Sequence, residues 1–293
     1  MSRLLAIALL ALAVPGPTGA RGPLRAVAAE NVWGSIAAQL GGARVQVTSV
    51  IANPATDPHD YEPTAVDARA LAAAQLVIVN GIGYDPWATK LLKANPVEGR
   101  VVLTVGNLLG LSPGDNPHRW YSPSDVRRVI AAIVRDYERL DPEDATYFAR
   151  RARTFETKGL AGYRRLIATI ERRYHGVRVG ASESIFAPLA RSLGLDLVTP
   201  PSFLQAVSEG TEPTAADKST VDRQVARKTI AVWIYDSQNS TPDVARVTAA
   251  ARKRGIPVTT ITETLAPASA TFQTWQVAQL RALRAALHAA TGR

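Results

Sequence analysis

Four side chains in this sequence have the types and settings of metal ligands: His59, His118, Glu183 and Asp236. His59 sits in a turn with Asp57, Asp60 and Glu62, and Pro54, Pro58 and Pro63 stiffen the backbone around it. Each proline fixes its own φ and restricts the residue before it. A stiff turn that presents an imidazole among carboxylates can grip a divalent cation. His118 follows Asn116-Pro117, Glu183 follows Ala181-Ser182, and Asp236 closes an apolar run at 230–235. Two imidazoles and two carboxylates are a borderline donor set. They suit Zn2+ in tetrahedral geometry, and Mn2+ or Fe2+ where the carboxylates chelate. Each position also has an ordinary structural use: His118 as a turn residue, Glu183 as negative charge at a helix start, Asp236 as an N-cap or turn-former. His175 before Gly176 reads as a partner of a helix C-terminus, and His288 as a surface residue.

The elements that must position these groups follow a regular rhythm. Residues 24–28, 45–51, 76–79 and 101–105 are apolar or alternating and read as strands, with helical patterns between them. Thr64 with Asp67, and Ser122-Pro123 with Asp125, are helix-start signals. The rhythm returns with strands at 177–180, 195–198, 230–235 and 258–262 and a last helix at 271–290, with a proline-rich loop after 198. This alternation predicts two parallel sheets flanked by helices. Between them, apolar residues recur every three or four positions from 142 to 174. The spacing predicts one helix of about 33 residues, roughly 50 Å long, weakened at Gly159 and Gly162. The fold class is therefore α/β, with two parallel-sheet lobes joined by one long rigid helix: an N-terminal lobe at 21–141, the linking helix at 142–174 and a C-terminal lobe at 175–293. His59, His118, Glu183 and Asp236 all fall just past strand or sheet exits. Ligands of parallel sheets bind there, so two facing lobes would bring the four groups into one cleft.

The N-terminus has the form of a targeting signal. Arg3 precedes an apolar run at 4–14, which Pro15, Gly16 and Pro17 break, and small residues follow at 18–20. That run is shorter than the roughly 20 residues a membrane span needs. The expectation is an exported, soluble, periplasmic protein. The sequence has no cysteine, so thiolate sites and a cysteine-linked lipid anchor are not expected, and any metal must take His, carboxylate or backbone donors. Net charge is +9, but the arginines come in pairs on helical faces without interleaved aromatics, which argues against nucleic acid. No His-Glu-x-x-His motif is present.

Several motifs, in order, give the chain a resemblance. They are Asp57-Pro58-His59-Asp60-Tyr61-Glu62-Pro63, Val79-Asn80-Gly81 with Trp87, and Asn116-Pro117-His118-Arg119-Trp120. Further on come Asp141-Pro142-Glu143 before Tyr147, Tyr235-Asp236-Ser237-Gln238, Ile256-Pro257 and Thr262-Glu263-Thr264. Over nearly the whole chain the sequence resembles the zinc- and manganese-binding solute receptors of ABC transporters, the cluster A-I substrate-binding proteins. The resemblance implies two α/β lobes on one long helix, with the metal in the cleft between them. It implies His59 and His118 as the first two ligands. The third position is His in many zinc receptors and Glu in manganese and iron receptors, and here it is Glu183. The fourth is an acid after a C-lobe strand: Asp236, with Asn239 and Asp243 as alternatives. The His-rich loop of many zinc receptors has no counterpart at 107–117. The expected function is capture of one divalent transition metal, Zn2+ or Mn2+, and its delivery to an inner-membrane ABC permease by a monomer that performs no catalysis. A metallohydrolase or a metal-dependent adhesin is the alternative.

Overall fold

The computed structural model describes residues 22–56 and 61–293. The targeting signal expected at 1–20 and the turn carrying His59 lie outside the described residues.

The first sheet contains β1 (Leu24–Glu30), β2 (Val45–Ile51), β3 (Leu76–Val79) and β4 (Val101–Thr104), all parallel, in the order β2-β1-β3-β4. Its helices are α1 (Asn31–Gly41), α2 (Ala65–Ala73), α3 (Pro86–Ala94), α4 (Val105–Leu109) and α5 (Pro123–Leu140). β3 reads Leu-Val-Ile-Val because both of its faces are covered. Leu76 and Ile78 enter the main core, while Val77 and Val79 pack into a separate cluster with Leu71, Trp87 and Ala88. α2 starts on a capping box in which Thr64 and Asp67 satisfy each other's backbone N–H groups. α5 starts on Ser122, whose hydroxyl accepts from Asp125 N, with Pro123 at the first helical position.

The linking helix comprises α6 (Ala145–Thr154), one π-helical turn at Phe155–Gly159, and α7 (Ala161–Tyr174). In the π turn Leu160 N–H reaches back five residues to Phe155 O, at 2.9 Å. The wide turn falls on Gly159, one of the two glycines that mark the helix as weak.

The second sheet repeats the first. β5 (Arg178–Ala181), β6 (Asp196–Leu197), β7 (Val232–Asp236) and β8 (Val258–Ile261) are parallel in the order β6-β5-β7-β8. Its helices are α8 (Ala187–Ser192), α9 (Pro201–Ser208), α10 (Ala215–Ala226), α11 (Pro242–Lys253) and α12 (Phe272–Thr291). α9 forms where the composition reads as a proline-rich loop. Pro201 occupies the first helical turn, where a missing N–H costs nothing, and Pro200 supplies a fixed φ of −52° before it. α12 runs back along α7 and reaches α1, where Phe272 N donates to Ser35 Oγ at 2.9 Å. Among the described residues no helix is long and apolar enough to cross a membrane.

Candidate metal site

Three of the four residues singled out from sequence fall within the described chain, and the structure gathers them at the strand ends of both lobes. Glu183 follows β5, Asp236 is the last residue of β7, and His118 ends the loop before α5. All three are fully buried. A fourth group joins them: Glu263, two residues past β8, 3% exposed. One carboxylate oxygen from each of Glu183, Asp236 and Glu263 lies within 4.8 Å of the others.

His118 completes the cluster through Glu263. Its ring is set by Asn116, whose amide donates to Ser184 O at 2.6 Å, so that Asn116 Oδ1 faces the histidine. That oxygen accepts from His118 N at 3.0 Å and stands 3.0 Å from Nδ1. An amide oxygen can only accept, so Nδ1 carries the hydrogen and Nε2 presents its lone pair to the cluster. Nε2 lies 3.3 Å from Glu263 Oε1. A nitrogen lone pair and a carboxylate oxygen are held together by a proton or by a cation, and the two compete for one place. Tyr84 and Trp120 pack edge-on against the imidazole at 5.7 and 5.4 Å between ring centres, keeping it in a dry pocket.

The acids are oriented from both lobes. Glu263 Oε2 accepts from Tyr84 Oη at 2.8 Å, and its N donates to Gln238 Oε1 at 2.7 Å. Asp236 Oδ1 accepts from Gln238 N at 2.7 Å. Glu183 Oε2 accepts from Ser208 Oγ at 3.1 Å and from Asn239 Nδ2 at 3.4 Å, while among the described residues Oε1 meets no hydrogen-bond partner. Burial, then Asp236 and then Glu263 push the Glu183 carboxyl well above the usual carboxylate range. Packing three acids out of water beside one imidazole is costly unless protons or a cation offset the charge. The orphaned Glu183 oxygen and the mixed N and O donors fit a borderline or hard divalent ion.

A second layer holds the first. Asn80, after β3, accepts from Trp33 Nε1 at 3.3 Å and donates to Pro117 O at 3.0 Å, fixing the loop before His118. Asp85 accepts from Asn80 N and Gly81 N at 2.7 and 2.8 Å. Glu30, at the end of β1, is fully buried and faces Asp85, and burial followed by that neighbour raises its pKa well above normal.

Of the alternatives read from sequence, Asn239 touches the cluster only as a hydrogen-bond donor to Glu183. Asp243 lies on α11 in ion pairs with Lys218 and Arg246, at 2.6 and 3.2 Å. Glu263 is not among the four residues that the sequence points to. Its signal was present in Thr262-Glu263-Thr264, an acid just past the last strand of the sheet, by the same strand-end rule that picked Asp236.

His59 lies outside the described residues, but both flanks of its turn are anchored. Pro54 O accepts from Gln238 Nε2. Tyr61 packs edge-on against Trp87 at 5.1 Å and donates to Asp67 at 2.8 Å.

Residues 26–286 match the family described as zinc-uptake complex component A, periplasmic. Among curated proteins, the chain is 23% identical over 257 residues to the metal ABC transporter substrate-binding lipoprotein FimA of Streptococcus parasanguinis, covering 80% of this chain and 79% of that one. It is 27% identical over 135 residues to the manganese-binding lipoprotein MntA of Halalkalibacterium halodurans, covering 45% of each. It is 28% identical over 158 residues to the iron-binding protein YfeA of Yersinia pestis, covering 52% of this chain and 50% of that one. The chain thus spans about half the length of two of these relatives. Among solved structures, the manganese-bound periplasmic metal-binding protein of Candidatus Liberibacter asiaticus superposes with a TM-score of 0.74 at 21% identity, over 90% of this chain and 99% of that one. Zinc-bound AdcA of Streptococcus pneumoniae gives a TM-score of 0.69 at 18% identity, over 91% and 58%.

Proposed function

Because this chain belongs to the family of periplasmic zinc-uptake components, we propose that it captures one divalent transition metal ion, Zn2+ or Mn2+, and delivers it to an ABC permease. The observation that carries this reading is the buried trio of Glu183, Asp236 and Glu263 beside His118 Nε2, with Glu183 Oε1 left for a cation. His59 is the second imidazole of the set, supported by its sequence setting and by the anchoring of its flanks at Pro54 and Tyr61. Oxygen donors then outnumber nitrogens, a balance that suits Mn2+ and Fe2+ as well as Zn2+. The metal is cargo: the side chains hold it, and no step of bond chemistry is required. In this reading the lobes span 21–141 and 175–293, the linking helix spans 142–174, and the receptor works as an exported monomer.

Calorimetric titration of the purified protein with Zn2+ and Mn2+ tests this. One ion bound per chain is expected, with loss of most of the affinity in His59→Ala and His118→Ala. No heat and no change of melting temperature with any divalent metal would overturn it.

A further inference from the structure

The arginines of the linking helix and the last helix are not spread evenly over the molecule. α7 carries Arg164, Arg165, Arg172 and Arg173 against one acid, Glu171. α12 carries Arg281 and Arg284 and no acid in its 20 residues. Where the two helices lie side by side they leave a groove of 350 Å3. Arg165 and Thr169 of α7 and Arg281 and Arg284 of α12 line it, together with Gly162, Leu166 and Val277. Glu171 lies instead on the opposite flank of α7, beside Pro123 and Tyr163. Among the described residues, none of the three groove guanidiniums has an ion pair or a side-chain hydrogen bond. Three exposed like charges line this groove, and an anion entering it would be attracted to all of them.

Gly162 has a part in this. A Cβ added there would meet Val277 Cγ2 at 3.7 Å, an ordinary contact, so helix packing does not require glycine. Glycine inside a helix costs about 1 kcal/mol relative to alanine. What it does is leave the floor of the groove open. Each guanidinium offers a fork of N–H donors, and three of them lining an open-floored groove suit the oxygens of a phosphate group.

We propose that the groove between α7 and α12 binds a phosphate-bearing anion through Arg165, Arg281 and Arg284. The chemistry is shared by free phosphate and by the headgroup of an anionic phospholipid. The site is separate from the metal cluster and does not depend on the reading of that cluster as a metal site.

The test measures binding of inorganic phosphate by calorimetry, and flotation with phosphatidylglycerol vesicles against phosphatidylcholine vesicles, at low and high salt. Four proteins are compared: the native chain, Arg165→Ala/Arg281→Ala/Arg284→Ala, Gly162→Leu, which fills the floor without changing charge, and Arg191→Ala/Arg227→Ala/Lys253→Ala, which removes equal charge elsewhere. Each arginine near an anionic surface contributes about fivefold, so the groove triple should lose about a hundredfold. Gly162→Leu should also lose binding, the distant triple should keep it, and salt should weaken it. Phosphate binding with this pattern assigns the free anion; vesicle binding alone with this pattern assigns the headgroup. A circular-dichroism spectrum and a melting temperature like those of the native chain report that each variant is folded. No binding by the native chain, or binding that survives Gly162→Leu or is lost equally in the distant triple, overturns the proposal.

Discussion

Glu183 turns one oxygen to Ser208 and Asn239 and leaves the other, among the described residues, without a donor in a buried site. Glu183→Gln keeps the shape and removes the charge that attracts a cation. Losing an outer partner of a metal ligand costs about 10–100-fold in affinity, so loss of a ligand itself should exceed that. Glu183→Gln and Glu263→Gln are each expected to lower metal affinity by more than about a hundredfold, measured by competition with a chelator of known affinity. Asn116→Ala frees the ring of His118 to turn and should cost about 10–100-fold, with the metal still bound one to one.

Protonation gives a second residue-scale prediction. Burial raises both Glu30 and Glu183, so the folded, metal-free protein holds protons that the unfolded chain releases. That contribution to stability is fully present below the unfolded carboxylate pKa of about 4.3 and is lost as pH rises through the folded values. Metal binding runs the other way, because ligands must give up protons. Melting curves from about pH 5 to about pH 8 should show the metal-free midpoint falling while the increment from metal grows. The fall should be shallower in Glu30→Gln. A metal-free midpoint that climbs over this range would contradict the assignment.

At the scale of elements, α12 holds the strand end that delivers Glu263. Trp275 Nε1 donates to Thr262 Oγ1 at 2.8 Å, and Thr262 N donates to Gln279 Oε1 at 3.0 Å. Trp275→Phe removes the first bond inside the core. It should cost about 1–3 kcal/mol of stability, read from denaturant unfolding, and also weaken metal binding, because the loop bearing Glu263 loses its fixed start.

Elements were legible in sequence where burial left a plain pattern. β3 and β7 are continuous apolar runs, and the helix starts at Thr64 and Ser122 announce themselves by their caps. Asp236 was found because it closes such a run. Glu263 was passed over because β8, Val-Thr-Thr-Ile, is short and half polar, so its end is poorly marked. α9 was hidden by Pro200 and Pro201, which look like loop residues until one of them is placed in a first helical turn. Its concealment mattered, since Ser208, which holds Glu183, lies on it. The π turn could only be foreseen as a weakness at Gly159, because its form depends on how Phe155 and Leu160 pack.

At the scale of the whole molecule, the repeated strand order points both sheets' carboxyl ends at the same place, and bonds cross between the lobes around it. Tyr84 reaches Glu263, Asn116 reaches Ser184, and Tyr121 Oη donates to Thr262 O at 2.8 Å. Asn31 Oδ1 accepts from Leu265 N at 3.0 Å. A cation gripped by both lobes should therefore stabilise the molecule as one unit. With metal at about a thousand times its Kd the gain is about 4 kcal/mol, a rise in Tm on the order of 10 °C, reversed by a chelator and absent in Glu263→Gln.

Gln238 reaches two ways from one side chain. Its oxygen accepts from the amides of Glu263 and Thr264, at 2.7 and 3.0 Å, and its nitrogen donates to Pro54 O, at the start of the turn that leads toward residue 59. A single amide thus works as a latch shared by two jaws. Loss of that one amide would loosen both at once.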